Sequence, residues 1–493
     1  MGVAVIGGGL AGLAAAIRLR ERGWDDFLVL ERGDRVGGTW RDNDYPGAAC
    51  DVPSHLYSYS FAPNPRWTRS FSARAEIQRY IEDVAARYRL RERHLFDCEV
   101  LSATWLDDAA RWELKTSRGS ITADILVGAF GALCEPALPD IEGIASFAGP
   151  IFPSARWNHD VDLTGRRVAV IGTGASAVQI VPAIADRVGR LEVYQRTAPW
   201  ILPRLERRYT APERFAFRHV PGYQRLARNA IFWMHEAQAV GLARVPRMLK
   251  PVELLARAKL RREVRDPALR RRLTPDYTVG CKRILLSNDY LPVFNRPNVR
   301  LITDDITEVR GNAIVTADGT VHETDAIVLA TGFRVTDSPT YQIIFGRYGR
   351  SLQDVFDDVG RQCYKGTAIS GFPNMFLLVG PNTGLGHNSM IYMIEAQVNY
   401  LMDAVATVRR NGYRTVEVRR EAQERYSRTL QRKLARSVWN TGGCTSWYLD
   451  KHGANTTMWP GFSFEFRRMT RSFDADAFHC RPAPGSTSRD TGQ

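Results

Sequence analysis

Short apolar runs alternate along the chain with Ala-rich stretches whose apolar residues recur at helical spacing, a pattern that predicts parallel strands joined by helices. Val3-Ala4-Val5-Ile6 reads as a strand, Leu13 to Leu19 as a helix and Phe27-Leu28-Val29-Leu30 as the next strand. The same order returns at Arg167-Val168-Ala169-Val170-Ile171, at a helix carrying Val178, Ile180, Val181 and Ile184, and at Leu191-Glu192-Val193-Tyr194. Ile125 to Ala129 and Asp325 to Ala330 are apolar enough for buried parallel strands. Ser72 to Ala86 reads as a helix capped by Ser72, with Ile77, Ile81 and Val84 on one face. Leu95 to Leu114, with Trp105 and Trp112, reads as a small β-meander of two alternating segments, and a short β region is expected at Val299 to Val321. Residues 201 to 277 break the alternation and read as helical, amphipathic from Phe215 to Met234, and Met390 to Val408 is a further helix.

Both strand-to-helix junctions are rich in glycine: Gly7-x-Gly9-x-x-Gly12 in the first unit and Gly172-Thr173-Gly174-Ala175-Ser176-Ala177 in the second. The first glycine of such a turn permits the sharp bend, the second lets backbone approach a pyrophosphate, and the third, here Gly12 or Ala177, lets helix and strand pack closely. The N–H groups that open the helix then face the phosphates. In the first unit the next strand ends at Glu31, a carboxylate placed to accept ribose hydroxyls. The second unit ends in Gln195-Arg196-Thr197, and an arginine where the acid would stand favours a 2′-phosphate. The pair implies FAD held permanently and NADPH bound as reductant, with hydride passing to the flavin.

The seven cysteines (50, 98, 134, 281, 363, 444 and 480) include no CxxC pair, which predicts reduced thiols and excludes a dithiol as electron acceptor. O2 is then the acceptor. The nine histidines show no metal spacing, so no metal is expected. No run of eighteen apolar residues occurs and no basic, apolar leader precedes the first strand, so a cytoplasmic protein is expected. The net charge of +14 first suggests nucleic acid or an acidic membrane. Much of the excess lies between Arg204 and Arg272, where it reads as solvated helix faces, and no nucleic-acid module accompanies it.

Over essentially its whole length the chain resembles the class B flavoprotein monooxygenases, specifically the type I Baeyer–Villiger monooxygenases. The resemblance rests on the two glycine turns, the loop Gly37-Gly38-Thr39-Trp40 to Pro46-Gly47-Ala48-Ala49-Cys50-Asp51, Gly280-Cys281-Lys282-Arg283, Ala330-Thr331-Gly332, and Gly386-His387-Asn388-Ser389. It implies that Arg283 holds a C4a-peroxyflavin as its anion, that Asp51 orients Arg283, and that a ketone is converted to an ester or lactone. By the same resemblance Leu10, Ala11, Thr39, Trp40, Tyr57 and Val100 join Gly7, Gly9, Gly12, Glu31 and Asp51 around FAD. Thr173, Ala175, Ser176 and Gln179 join Gly172 and Gly174 around NADPH, whose 2′-phosphate meets Arg196, Thr197 and Lys282. The implied fold is α/β with two Rossmann-like dinucleotide-binding domains. The FAD-binding domain takes 1–140 and 325–480, and the NADPH-binding domain takes 141–200 and 278–324. The stretch 201–277 reads as a helical insertion interrupting the latter, its pattern fitting a lining of substrate access and plain helix packing equally, and the Pro-, Gly- and Ser-rich composition of 481–493 predicts a disordered tail.

One departure stands out. The family signature FxGxxxHxxxW falls on Phe147, Gly149 and Trp157, but Pro153 occupies the histidine position, removing a side-chain hydrogen bond and a backbone donor together. By resemblance that segment couples domain movement to NADPH use. Two other readings keep the cofactors: oxygenation of sulfur or nitrogen, as in flavin-containing monooxygenases, and a catalytically quiet flavoprotein sensor. The pairing of Asp51 with Arg283 favours the ketone.

Overall fold

A computed structural model describes residues 1–482. Its first sheet has five parallel strands in the order Met375–Leu377, Ile125–Gly128, Val3–Ile6, Phe27–Leu30, His94–Leu95. Val3 pairs with both Phe27 and Ile125, and the whole Val3–Ile6 strand is buried, which is why it needs a continuous apolar run and not an alternating one. Helix Leu10–Glu21 crosses this sheet with Ala14, Ala15 and Ala16 all buried, and small side chains let it pack closely against helix Met390–Arg410. That second helix starts where the Ser389 hydroxyl accepts from the Ile391 N–H.

The second sheet is also parallel, in the order Val299–Ile302, Arg190–Tyr194, Arg167–Ile171, Ala326–Leu329, Ile151–Pro153. Helix Ala175–Ile184 packs on it. Strand Ala326–Leu329 thus belongs to the second sheet, and a boundary at 325 falls one strand too early. The chain leaves that sheet through Ala330-Thr331-Gly332, whose apolar lead-in looks the same whichever sheet it joins.

Four further expectations are corrected. The meander has three strands, Val100–Leu106, Arg111–Thr116 and Gly119–Ala123, because the mostly polar last strand carries too few apolar residues to be seen by alternation. The helix expected from Ser72 is Arg74–Arg87 with Ala73 at its N-cap, since the Ser72 hydroxyl is engaged with the Ser54 hydroxyl. The amphipathic stretch is two helices, Ala211–His219 and Tyr223–Ala239, parted at Pro221-Gly222, where Gly222 takes a positive φ. Most consequentially, Cys281 and Cys444 form a disulfide, so the thiols are not all reduced. The partners lie 163 residues apart, a pairing that spacing does not reveal and that arises only when the 278–283 turn packs against helix Val438–Thr441. The expected tail lies outside the described residues except for Arg481 and Pro482, which end strand Phe478–Pro482. No helix among the described residues is long and apolar enough to cross a membrane.

Candidate active site

The first glycine turn is shaped by contacts that admit no side chain. A Cβ on Gly12 would stand 1.9 Å from the Gly7 carbonyl oxygen, and one on Gly7 would stand 2.6 Å from that of Ala129. Opposite the turn lies Gly38, whose own Cβ would come within 3.0 Å of the Gly9 Cα. The helix that follows has no side-chain cap, leaving the N–H groups of its first turn, at Leu10 and Ala11, for an anion. Glu31 is buried and accepts from the Gly8 N–H through Oε2 (2.6 Å), and from the Gly33 N–H (2.8 Å) and Arg41 (2.7 Å) through Oε1. A carboxylate oxygen with one partner retains a lone pair, so Oε2 can still accept a ribose hydroxyl. Val100 stands nearby in one apolar cluster with Leu30 and Cys98. These features fit an FAD diphosphate and its ribose.

The loop from Gly37 to Asp51 runs from this cradle to the second domain. Thr39 opens a short helical turn, and the Trp40 indole N–H donates to the Tyr57 hydroxyl at 2.9 Å. Gln179, on the second domain's first helix, holds the loop with both ends of its amide: Oε1 accepts from the Tyr45 hydroxyl at 3.0 Å, and Nε2 donates to the Ala49 carbonyl at 2.9 Å. Gly47 fits flush there, since a Cβ would stand 2.6 Å from the Gln179 carbonyl oxygen. Gln179 therefore joins the two domains with the amide that resemblance assigns to NADPH.

The loop delivers Asp51 to Arg283. Nε and Nη2 of the guanidinium both meet Asp51 Oδ2 at 2.7 Å, and Nη1 has no hydrogen-bond partner among the described residues. Burial would raise the Asp51 carboxyl, but the charge and hydrogen bonds of Arg283 outweigh it, and the group sits below its usual range. Arg283 moves the opposite way, raised chiefly by the Asp51 charge against the pull of desolvation. Both partners shift as a tight ion pair requires. Next to the pair, the disulfide of Cys281 ties the arginine segment to the loop that carries Tyr448. Burial pushes the Tyr448 phenol up to about 12, with Arg283 pulling it down.

In the second domain the turn is open where the first is closed. No atom lies within 4 Å of a Cβ placed on Gly174, Ala175 is exposed, Ser176 is partly so, and helix Ala175–Ile184 has no side-chain cap. Gly172 is confined, its Cβ position lying 2.4 Å from the Ala330 carbonyl oxygen. The Thr173 hydroxyl donates to the Thr197 carbonyl at 2.8 Å, placing the exposed Arg196 beside the turn. Lys282 comes to the same place: burial lowers its ammonium pKa and the neighbouring Arg196 lowers it further. Two neighbouring cations fit a bound anion such as the 2′-phosphate of NADPH.

Three groups at the site carry no signature in the sequence. Arg204 donates to the Cys50 carbonyl at 3.0 Å and adds a second positive charge near Asp51. Tyr448 and His235 come from remote segments, and His235, bonded to the His387 carbonyl at 2.8 Å, is close enough to sense Asp51. Pro153 ends the edge strand of the second sheet opposite Leu329, and Phe152 and Trp157 pack edge to face at 5.0 Å. A few residues on, the His159 Nε2 meets the Asp44 carboxylate at 2.8 Å, a bond between this segment and the loop of the first domain.

The profile of a family described as pyridine nucleotide-disulphide oxidoreductase matches residues 4–210. A Baeyer-Villiger monooxygenase of Streptomyces coelicolor is 50% identical over 98% of this chain and 93% of its own length. Cyclohexanone monooxygenase from Rhodococcus sp. Phi1, solved with NADP+, superposes with a TM-score of 0.87 at 29% identity, covering 98% of this chain and 99% of that one. OTEMO in complex with FAD and NADP gives 0.86 at 27%, covering 97% and 99%.

Proposed function

This chain belongs to the Baeyer–Villiger monooxygenases, and from that premise we propose that Arg283, held by Asp51, is the fixed cation that turns its oxygen chemistry on the carbonyl carbon of an apolar ketone. FAD and NADPH, when bound, supply hydride transfer and the activation of O2. The residues supply the rest. Gly7, Gly9 and Gly12 with the N–H groups at Leu10 and Ala11 would carry the flavin diphosphate, Glu31 its ribose, and Thr39, Trp40, Tyr57 and Val100 its flanks. Gly172, Thr173, Gly174, Ala175 and Ser176 would carry the nicotinamide nucleotide's diphosphate, and Arg196, Thr197 and Lys282 its 2′-phosphate. Gln179 contributes by holding the loop.

The observation that carries this reading is the ion pair in which Arg283 donates from Nε to Asp51 Oδ2 and sets Nη2 beside the same oxygen, both at 2.7 Å, which leaves Nη1 to face a reacting group. A guanidinium keeps its charge at any working pH, so it stabilises negative charge as that charge develops on oxygen. Aimed in advance, a donor of this kind is worth about 3–4 kcal/mol, or roughly 10²- to 10³-fold in rate, once bound cofactor and substrate exclude water from it. Oxygen insertion beside a carbonyl needs that help twice: first when the attacking oxygen is anionic, and again when the carbonyl oxygen becomes so. Oxygenation of a sulfide, where the oxygen is attacked by the sulfur lone pair, has no comparable need.

Purified holoenzyme given NADPH in air with phenylacetone and thioanisole in competition tests the proposal. Benzyl acetate is expected as a product. Sulfoxide with no ester would transfer the chain to the heteroatom reading, and NADPH loss with neither product would make it a quiet oxidase.

A further inference from the structure

The helical insertion has a second surface that the ketone chemistry does not use. Residues 201–277 hold eighteen lysines and arginines against seven acids, an excess of eleven in a chain whose whole net charge is +14. Solvated helix faces would account for charge alone. They do not account for the eleven large apolar side chains that stand exposed in this same stretch, out of eighteen exposed among all the described residues.

Helix Tyr223–Ala239 shows how the two go together. Its inner face packs through Ala227, Ile231 and Phe232 on the first domain's core, and Glu236 is pinned there by Asn388 at 2.6 Å. Its outer face presents Tyr223, Leu226, Ala230, Trp233, Met234 and Ala237, an apolar stripe at helical spacing that stays in water, with Trp233 59% and Met234 60% exposed. The stripe continues by contact: the Trp233 ring lies 5.8 Å from that of Phe464, Phe464 stacks on Phe462 at 5.0 Å, and the Arg244 guanidinium sits 4.7 Å over Phe462. Beyond Arg244 the chain exposes Arg247, Met248, Lys250 and Leu254, basic and apolar by turns. On its other side Phe464 borders a surface cavity of about 650 Å³ lined by Arg18, Arg22, Arg467, Arg468 and Arg471. Two carboxylates also line it, Glu21 paired with Arg18 and Glu395 held by Ser60, so five arginines stand against two acids and the cavity keeps a positive excess.

We propose that this surface docks the enzyme on an anionic phospholipid bilayer, with Leu226, Trp233 and Met234 entering the headgroup boundary and the arginine cavity taking a lipid phosphate. An exposed apolar helical stripe bordered by Arg244, Arg247 and Lys250 on the segment that follows, and by the arginine cavity, is what an interfacial surface needs, and the positive excess complements an anionic leaflet. A second copy of the chain would bring the same positive excess against itself, which disfavours it as the occupant. The docking does not depend on which substrate is oxygenated.

Flotation of the holoenzyme with vesicles of phosphatidylcholine, or of phosphatidylcholine mixed equally with phosphatidylglycerol, tests this. About tenfold greater retention on the anionic vesicles is expected, reduced by high salt. Trp233→Ser with Met234→Ser, and separately Arg468→Glu with Arg471→Glu, should each lower retention about tenfold while leaving turnover of a water-soluble ketone unchanged. The two pairs lie on different elements, so misfolding of one leaves the other decisive. No retention, equal retention on neutral vesicles, or retention indifferent to both pairs would overturn the proposal. So would a dimer that the Trp233→Ser, Met234→Ser protein no longer forms, which would assign the face to a second copy.

Discussion

At the scale of residues, the pair of Arg283 and Asp51 is the organising unit, and its protonation behaviour is a stability statement. The Asp51 carboxyl is lowered in the folded protein, so the unfolded chain binds that proton more readily. The stabilisation is therefore complete above the ordinary carboxylate value near about 4 and is lost as pH falls through the lowered value. Asp51→Asn, compared with the parent at matched flavin content, should melt at lower temperature at neutral pH, with the gap closing below about pH 4. A gap that stays constant into that acid range would show that the pair adds nothing through charge. The lowered Lys282 ammonium beside Arg196 is the same physics with the opposite outcome: a strained cation awaiting its anion.

At the scale of elements, the two glycine turns look alike in sequence and differ in the space around them. Gly12→Ala would drive a Cβ to 1.9 Å from backbone oxygen, and Gly174→Ala would place one in open space, where the proposed NADPH diphosphate would lie. The first variant should purify without flavin. The second should stay yellow and need about tenfold more NADPH for half-maximal turnover. Equal flavin content and equal NADPH dependence in both would contradict the division of labour. These turns were legible because a strand, a bend and a helix each impose their own residue types within one short stretch, beginning at Val3 in the first unit and at Arg167 in the second. The Asp51 and Arg283 pair, 232 residues apart, was legible only through family resemblance. Arg204, Tyr448 and the Cys281–Cys444 bridge were legible by neither route, because each depends on where the insertion and the C-terminal segment pack. Strand Ala326–Leu329 shows the same limit: its apolar run announces a buried strand but not which sheet receives it.

At the scale of the molecule, two parallel sheets stand on either side of one loop, and the loop from Gly37 to Asp51 binds to both. It meets the first turn through Gly38, the second domain through Gln179, and Arg283 through Asp51. A change in how the domains sit would therefore move the cation. With Pro153 in the linker strand, the segment that resemblance assigns to coupling reaches the first domain through His159 and Asp44. The proposed role of the guanidinium at position 283 is chemical: it would let the oxygen chemistry reach a carbonyl carbon. The most direct test is the amount of ester formed per NADPH consumed by Arg283→Ala holoenzyme, with phenylacetone as substrate and flavin content equal to the parent. The variant should still consume NADPH but lose ester formation by about 10²-fold or more. Ester formed at the parent ratio would contradict that role.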